Sequence, residues 1–133
     1  MEYSFSRMPS NAEITALFHA VGWESAQYPT QLCRAIGNSE AVLTAWENDS
    51  LAGMMTAISD GGMNVFFPYL LLDPAFQGKG VGRALAQRML AHYHGTYRKI
   101  LVCNADKAPF YEKCGFTCVD DQRPMLRIDA PTE

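Results

Sequence analysis

The chain lacks the features of a membrane protein, a secreted protein or a nucleic-acid-binding protein. No apolar run approaches the roughly 18 residues that a membrane-spanning helix needs, and the N-terminal stretch MEYSFSRMPS has no apolar segment that would direct secretion. Lysine and arginine number 11 against 14 acidic residues, for a net charge of −3. We therefore expect a cytoplasmic protein that binds neither nucleic acid nor membrane.

Patterns typical of disulfide frameworks and metal sites are also missing. The four cysteines, at positions 33, 103, 114 and 118, are expected to be thiols because the cytosol is reducing. No histidine lies near Cys114 and Cys118, so we expect no metal. With 133 residues, 48% of them hydrophobic, the chain is long enough to bury a core and is expected to form one domain, residues 1–133.

Apolar spacing, capping residues and turn signals predict a mixed α/β domain. The predicted helices cover residues 11–21, 30–36, 80–94 and a short stretch after Pro109, and the predicted strands cover 41–46, 51–59, 64–72, 99–103, 116–119 and 125–128, with an optional strand near 3–7. Residues 41–72 are expected to form an antiparallel meander. A strand, a helix and a strand then follow in order, which predicts a parallel pair with a right-handed crossover.

Three of these strand predictions have further consequences. Pro68 has no N–H to donate to a sheet, so we expect a bulge or a local opening beside it. The strand at 99–103 contains the continuous apolar run Ile-Leu-Val-Cys, which predicts burial on both faces. The last two strands are expected to close the sheet as a hairpin.

A glycine-rich stretch joins a strand to a helix at residues 70–83, reading LLLDPAFQGKGVGR. Glycines leave backbone N–H groups open to approach, and the first N–H groups of a helix lack partners and favour anions. The spacing excludes a Walker loop, because Gly78 and Lys79 are followed by Gly80, and a dinucleotide fingerprint, because Arg83 stands where its third glycine would be. The stretch therefore predicts a phosphate-binding loop of another kind.

Two segments of the chain have a distinctive spacing. One is Gln-x-x-Gly-x-Gly, from Gln77 to Gly82, directly after a strand; the other runs from Asn104 through Tyr111, seven residues later, to Gly115 and Phe116. Both resemble segments of the GNAT family of N-acetyltransferases. The resemblance covers the chain in element order, and residues 70–83 and 104–116 carry it specifically. It implies a small single-domain GNAT-like (acyl-CoA N-acyltransferase) fold, α/β in class, with a mixed, mostly antiparallel sheet flanked by helices.

The resemblance also implies an activity and a set of binding residues. The activity is direct transfer of the acetyl group of acetyl-CoA to a primary amine of a small molecule, with Tyr111 as the acid that protonates the departing sulfur. Asn104 would bond the pantetheine arm of the coenzyme. The backbone of three residues would bind pantetheine: Leu70, Leu71 and Leu72. The pyrophosphate would be bound by the glycine-rich stretch, that is by Gln77, Gly78, Lys79, Gly80, Val81, Gly82 and Arg83.

The sequence does not identify the acceptor amine, the general base or the oligomeric state. A homodimer is one of the oligomeric states left open. The loop between the first two helices is expected to face the thioester, which makes Trp23, Glu24, Tyr28 and Tyr69 the candidates for acceptor binding. The base candidates are Glu24, Asp73, His19, Tyr28 and Tyr69, of which we name Glu24 and Tyr69 first. The alternatives are a protein N-terminal or lysine acetyltransferase and a non-catalytic acyl-CoA-binding or partner-binding module on the same fold.

Overall fold

The computed structural model describes residues 1–132 and contains, within them, six strands and four helices. The strands are β1 (Glu2–Ser4), β2 (Ala41–Glu47), β3 (Ser50–Ser59), β4 (Asn64–Phe66), β5 (Leu70–Leu72) and β6 (Arg98–Ile100), and the helices are α1 (Asn11–Ala20), α2 (Pro29–Gly37), α3 (Val81–His92) and α4 (Ala108–Lys113). No helix in this part of the chain is both long and apolar enough to cross a membrane.

Local side-chain hydrogen bonds fix where several elements begin and end. At the start of α1 the Glu13 N–H donates to Ser10 Oγ at 3.1 Å and the Ser10 N–H donates to Glu13 Oε1 at 2.9 Å, which is the predicted capping box. Between β3 and β4 the Asp60 carboxylate accepts the N–H groups of Gly62, Met63 and Asn64 at 2.9 to 3.0 Å. These bonds hold the turn of the β3–β4 hairpin.

The sheet has the predicted mixed topology. Strands β1, β2 and β3 are antiparallel neighbours, and β3 then pairs antiparallel with β4 along one part of its length and with β5 along another. Strand β6 pairs parallel with β4, so α3 is the crossover helix between the two parallel strands. The meander and the parallel pair are therefore both confirmed.

The two faces of the sheet bury separate apolar clusters. One cluster lies against α3 and the other lies against α1 and α2. The α3 cluster includes Leu43, Met55, Phe67, Leu85 and Met89, and the cluster under α1 and α2 includes Phe18, Leu32, Ile36, Met54 and Leu71. The central strands β2 and β3 contribute to both clusters, because alternate residues of a strand point to opposite faces.

Two strand predictions are wrong. Strand β6 ends at Ile100, and Ile100 and Val102 are 40% and 49% exposed, so the run after Lys99 is not buried on both faces. The predicted final hairpin, 116–119 with 125–128, forms no strand in the described chain. A strand needs a neighbour to pair with, and β6, the strand beside which these residues were expected to lie, ends at Ile100.

Candidate functional site

The sheet divides at Pro68, where the sequence predicts an opening. The last backbone bond between the two parallel strands runs from the Phe67 N–H to the Ile100 carbonyl at 3.0 Å. Beyond it, β5 pairs with β3 alone, and residues 101–104 have no strand partner within the described residues. A slot therefore lies between β5 and residues 101–104, with unpaired backbone N–H and C=O groups on both of its walls.

The glycine loop leads into the N-terminus of α3. Gly78 and Gly80 have φ values of +77° and +79°, in the left-handed region, and Gly80 is the residue that caps the helix. A Cβ at either position would meet nothing within 4 Å, so the backbone conformation rather than lack of space calls for glycine here. No side chain caps this helix end, which leaves its first N–H groups available to a ligand.

The charges around this helix end favour an anion. Lys79 and Arg83 are exposed, and the first turn of α3 carries no acidic residue. The nearest acidic residue in sequence, Asp73, uses its carboxylate to accept the Ala75 N–H at 2.9 Å. The positive end of the helix dipole adds to the two basic side chains, so the loop is suited to a phosphate or diphosphate group.

Three elements meet at Gly82. A Cβ on this buried glycine would lie 3.4 Å from Leu72 Cδ1 and 3.5 Å from Phe110 Cζ. Strand β5, the start of α3 and helix α4 are thus in close contact. The glycine loop, one wall of the slot and the helix that carries Tyr111 consequently form one continuous region.

Tyr111 is partly buried on α4, between two other aromatic rings. Its ring centroid lies 5.1 Å from that of Phe110 and 6.0 Å from that of Phe116, both in edge-to-face geometry. No other described residue hydrogen-bonds its hydroxyl. Burial raises the pKa of Tyr111 to about 12, and the charges of Cys103 and Cys114 act in the same direction. The phenol is therefore neutral at physiological pH and free to donate a hydrogen bond.

The two thiols near Tyr111 are poorly suited to covalent catalysis. Burial raises the pKa of Cys103, and Cys118 and Asp106 raise it further. Burial also raises the pKa of Cys114, partly offset by the positive charge of Arg83. A nucleophilic cysteine needs a lowered pKa, so this environment argues against a cysteine-linked intermediate.

Trp23 and Tyr69, two of the predicted acceptor-side residues, lie together. Their ring centroids are 5.9 Å apart, and Phe18 of α1 packs edge-on against both, at 5.7 Å and 5.1 Å. Tyr69 follows Pro68 directly, so this aromatic cluster lies beside the point where the slot opens. Tyr69 also packs against the buried cluster under α1 and α2, which includes Leu71 of β5.

The other sequence candidates are spread around this region. Glu24 is exposed in a short 3₁₀ helix (Glu24–Gln27), and Tyr28, at 38% exposure, lies at its end without entering the cluster of Phe18, Trp23 and Tyr69. His19 is exposed in the last turn of α1. Asn104 is exposed at the end of the unpaired segment, where its carbonyl accepts the Lys107 N–H at 2.9 Å.

Sequence reasoning missed three residues of this region. Phe18 and Phe110 looked like ordinary core positions of their helices. Thr56 lies on β3 opposite Tyr69, whose carbonyl accepts the Thr56 N–H at 3.0 Å, and its side-chain hydroxyl is buried without a partner among the described residues. The signal for Thr56 was a lone polar residue in the apolar run of β3.

The chain matches a family model described as an acetyltransferase (GNAT) domain, over residues 38–118. It is 27% identical over 111 residues to an uncharacterized N-acetyltransferase of Pyropia yezoensis, which covers 78% of this chain and 63% of that protein. It is 29% identical over 119 residues to a histone acetyltransferase of Glycine max, covering 78% and 50%. The chain thus spans less than two thirds of the length of these curated relatives.

A solved structure resembles the fold over nearly its whole length. It is a GNAT family acetyltransferase from Streptococcus pneumoniae, with a TM-score of 0.79 and 22% identity over 98% of this chain and 97% of that one. A second structure, an aminoglycoside 6′-N-acetyltransferase complexed with coenzyme A, has a TM-score of 0.69 and 17% identity over 86% and 84%. At these identities the likeness shows the fold, a mixed α/β fold shared with these acetyltransferases.

Proposed function

The chain belongs to the GNAT acetyltransferase family, and from that premise we propose that it is an acetyl-CoA-dependent N-acetyltransferase that acetylates a primary amine directly. The observation that carries the proposal is that the slot, the glycine loop and Tyr111 form one region, joined at Gly82 through contacts with Leu72 and Phe110. An extended amide chain such as pantetheine fits an opening between two strands, because their free N–H and C=O groups can pair with it.

In this proposal each part of the region binds one part of the coenzyme. The N–H groups of residues 77–83, with the exposed side chains of Lys79 and Arg83, hold the diphosphate at the start of α3. The backbone of β5 binds the pantetheine arm from one wall of the slot. Asn104, exposed at the end of the opposite wall, binds the same arm from the other side.

Tyr111 supplies the proton at the other end of the coenzyme. When an amine attacks the thioester, the C–S bond breaks and the sulfur leaves with negative charge, and the thiol that forms has a pKa near 8.5. A phenol with its pKa raised to about 12 is fully protonated at neutral pH and can donate to that sulfur. The proton lost by the attacking amine restores the phenol through solvent, so the step balances without a covalent enzyme intermediate.

The acceptor in this proposal is a small amine that binds against Trp23 and Tyr69. An alkyl ammonium with a pKa near 10.4 must first lose a proton, which requires about 4–5 kcal/mol at pH 7 without a base. Glu24 is the acidic candidate nearest in sequence to the aromatic cluster, and its exposed carboxylate also suits a cationic acceptor. In this proposal Glu24 attracts the ammonium group, and a water molecule near the Tyr69 hydroxyl accepts the proton.

A cytoplasmic location accompanies the proposal. The four cysteines of the chain are free thiols, Cys103 and Cys118 being exposed, and exposed thiols are typical of proteins in a reducing compartment.

The test is release of free thiol from acetyl-CoA in the presence of a panel of amines, with the Tyr111→Phe variant beside wild type. We expect turnover with at least one amine and a fall of about 10²- to 10⁴-fold in kcat for Tyr111→Phe, since that is the usual contribution of a general acid. The matched control is Tyr97→Phe, which removes the same atom from a residue that is 73% exposed, and it should leave kcat unchanged.

Two results would contradict parts of the proposal separately. Near wild-type turnover by Tyr111→Phe would show that Tyr111 is not the general acid, although the protein is an acetyltransferase. Tight coenzyme A binding with no turnover on any amine would favour a non-catalytic acyl-CoA-binding module. A lysine-containing peptide and a peptide with a free N-terminus belong in the panel, because preference for either would replace the small-molecule acceptor by a protein.

A further inference from the structure

Two polar side chains are fully buried in the described chain, and they differ in their hydrogen bonding. Thr44 and Thr56 are both 0% exposed. Thr44 Oγ1 lies 3.2 and 2.9 Å from the carbonyl oxygens of Ser4 and Arg7, and it accepts the Trp46 Nε1–H at 2.8 Å. The Thr56 hydroxyl has no such partner among the described residues. Because buried hydroxyls are normally paired, an unpaired one points to a group that arrives from outside the chain.

The Thr56 side chain lies on the same face of the sheet as the aromatic cluster of Phe18, Trp23 and Tyr69. Two residues earlier on β3, Met54 belongs to the buried cluster under α1 and α2, and alternate residues of a strand share a face. Tyr69 packs against that buried cluster, and its carbonyl accepts the Thr56 N–H at 3.0 Å. Residues directly opposite on neighbouring strands have Cβ atoms about 4.5–5.5 Å apart. The Thr56 hydroxyl is therefore next to the Tyr69 side chain.

Thr56 also lies where β3 changes its pairing partner. The first part of β3 pairs with β5, and its last two residues pair with β4. Thr56 stands between these two ladders, opposite Tyr69, and the sheet divides at the adjacent Pro68. Only β5 separates β3 from the slot, and neighbouring strands are about 4.7–4.9 Å apart. A small acceptor whose amine lies at the slot can therefore reach the Thr56 hydroxyl with its other end.

We propose that Thr56 determines acceptor specificity by hydrogen bonding to a ring hydroxyl of an arylalkylamine. The inference rests on the proposed acetyl transfer and names the class of its acceptor. Trp23 and Tyr69 supply flat apolar contacts for an aromatic ring. The buried side chains of the described chain include no charged group, so the polar group that meets Thr56 is neutral. A hydroxyl is neutral and can both donate to and accept from the threonine hydroxyl.

The state of Thr56 in the free protein gives the discrimination its physical basis. Its hydroxyl has already lost contact with water, so an acceptor that pairs with it gains a hydrogen bond without further desolvation of the protein. An acceptor without a ring hydroxyl leaves Thr56 unpaired and gains nothing there. The acceptor enters by displacing Trp23, which is 37% exposed and is the most exposed ring of the aromatic cluster.

The experiment compares two probes that differ by one hydroxyl, 2-phenylethylamine and 2-(4-hydroxyphenyl)ethylamine. We measure kcat and KM for both with acetyl-CoA. Wild type should favour the hydroxylated probe by about tenfold in kcat/KM, mainly through KM, since one hydrogen bond to a buried group contributes about that factor. Thr56→Val replaces the hydroxyl by a methyl group and should bring the preference to about one without changing kcat for 2-phenylethylamine. Thr56→Ser keeps the hydroxyl and should keep the preference.

Thr44→Val is the matched control, because it removes the other fully buried hydroxyl. It should lower the free energy of unfolding, since Thr44 is hydrogen-bonded, and leave the preference unchanged. The proposal is overturned if wild type shows no preference, if Thr56→Val keeps it, or if Thr44→Val loses it as well. Should Thr44→Val fail to fold, the contrast between Thr56→Val and Thr56→Ser decides alone.

Calorimetric titration separates failure of this inference from failure of the proposed acetyl transfer. Both probes are titrated into wild type and Thr56→Val in the presence of coenzyme A. If neither probe is acetylated, about tenfold tighter binding of the hydroxylated probe by wild type alone still supports the role of Thr56. Equal binding of the two probes by wild type, or the same preference in Thr56→Val, overturns that role even if other amines are acetylated.

Discussion

Gly53 on β3 is the position where one added methyl group should move a wall of the slot. The Cβ of Gly53→Ala would lie 2.5 Å from Leu72 Cδ2 and 2.8 Å from the Leu71 carbonyl oxygen. The tip of a leucine side chain can rotate away from a new atom. A backbone oxygen moves only with its strand, so β5 itself must shift away from β3.

The size of the effect follows from these distances. Bringing the 2.8 Å contact to the ordinary limit of 3.4 Å requires a displacement of about 0.6 Å. Overpacking of this kind typically costs about 1–3 kcal/mol of stability, and each kcal/mol should lower Tm by about 3–5 °C in a domain of this size. Within the described chain β5 has no strand on its other side to resist the shift, so the slot narrows and coenzyme A binds more weakly.

Gly82→Ala is the matched control for this substitution. Its Cβ would meet Leu72 and Phe110 at 3.4 and 3.5 Å, which is ordinary contact, and its backbone does not have a positive φ. Alanine is also favoured over glycine inside a helix by about 0.5–1 kcal/mol. We therefore expect Gly82→Ala to be as stable as wild type or slightly more stable.

The assays are urea unfolding and the coenzyme A dissociation constant, measured for both variants and wild type. The expected result is a lower free energy of unfolding for Gly53→Ala only, together with weaker coenzyme A binding by Gly53→Ala than by wild type. Gly82→Ala is a control for stability alone, because Gly82 lies in the proposed diphosphate-binding loop. If Gly53→Ala is as stable as wild type, or if Gly82→Ala is destabilised to the same extent, then the close approach of β3 to β5 does not constrain the slot as argued.

Three further predictions concern Thr56, Asp60 and Tyr111. Thr56→Val removes a buried hydroxyl that has no hydrogen-bond partner among residues 1–132, so it should raise the free energy of unfolding by about 1 kcal/mol. A fall in the free energy of unfolding would show that the hydroxyl does make a hydrogen bond. Hydrogen bonds from Asn64, Gly62 and Met63 hold the pKa of Asp60 far below its usual value, so Asp60→Ala should destabilise at pH 7. The difference in free energy of unfolding between wild type and Asp60→Ala should shrink below about pH 4, where the Asp60 carboxylate of the unfolded chain becomes protonated. A difference that does not change with pH would refute this prediction. Because the pKa of Tyr111 is raised to about 12, kcat should show no loss from phenol ionisation up to about pH 11, provided that the fold persists there.

The division of the sheet could be predicted because its cause is local. Pro68 has no N–H, and that is enough to predict where pairing with the neighbouring strand ends. The capping box at Ser10 and the glycines before α3 are equally local signals, and each has the conformation that its residues require. The role of Tyr111 came from the resemblance to a family, whereas the glycine loop was predicted from its own residues. The contact between the loop and α4, at Gly82 and Phe110, became visible only in the fold.

The end of the chain shows where sequence reasoning fails. The apolar residues around Val102 and Leu126 were predicted to lie in strands, and the structure has no strand at either place. Apolar spacing identifies residues that could form a strand, but a strand exists only if another strand pairs with it. The aromatic contact of Phe18 with Trp23 and Tyr69 was missed for a related reason, since it depends on how α1 packs across the sheet rather than on any spacing within it.

A crystal structure of the wild-type protein with coenzyme A tests the central claim most directly. We expect the diphosphate to lie within about 2.7–3.2 Å of backbone N–H groups of residues 77–83. We also expect the pantetheine arm to lie between β5 and residues 101–104 and the sulfur to lie beside the Tyr111 hydroxyl. A coenzyme bound elsewhere, or a sulfur remote from Tyr111, would contradict the proposed site.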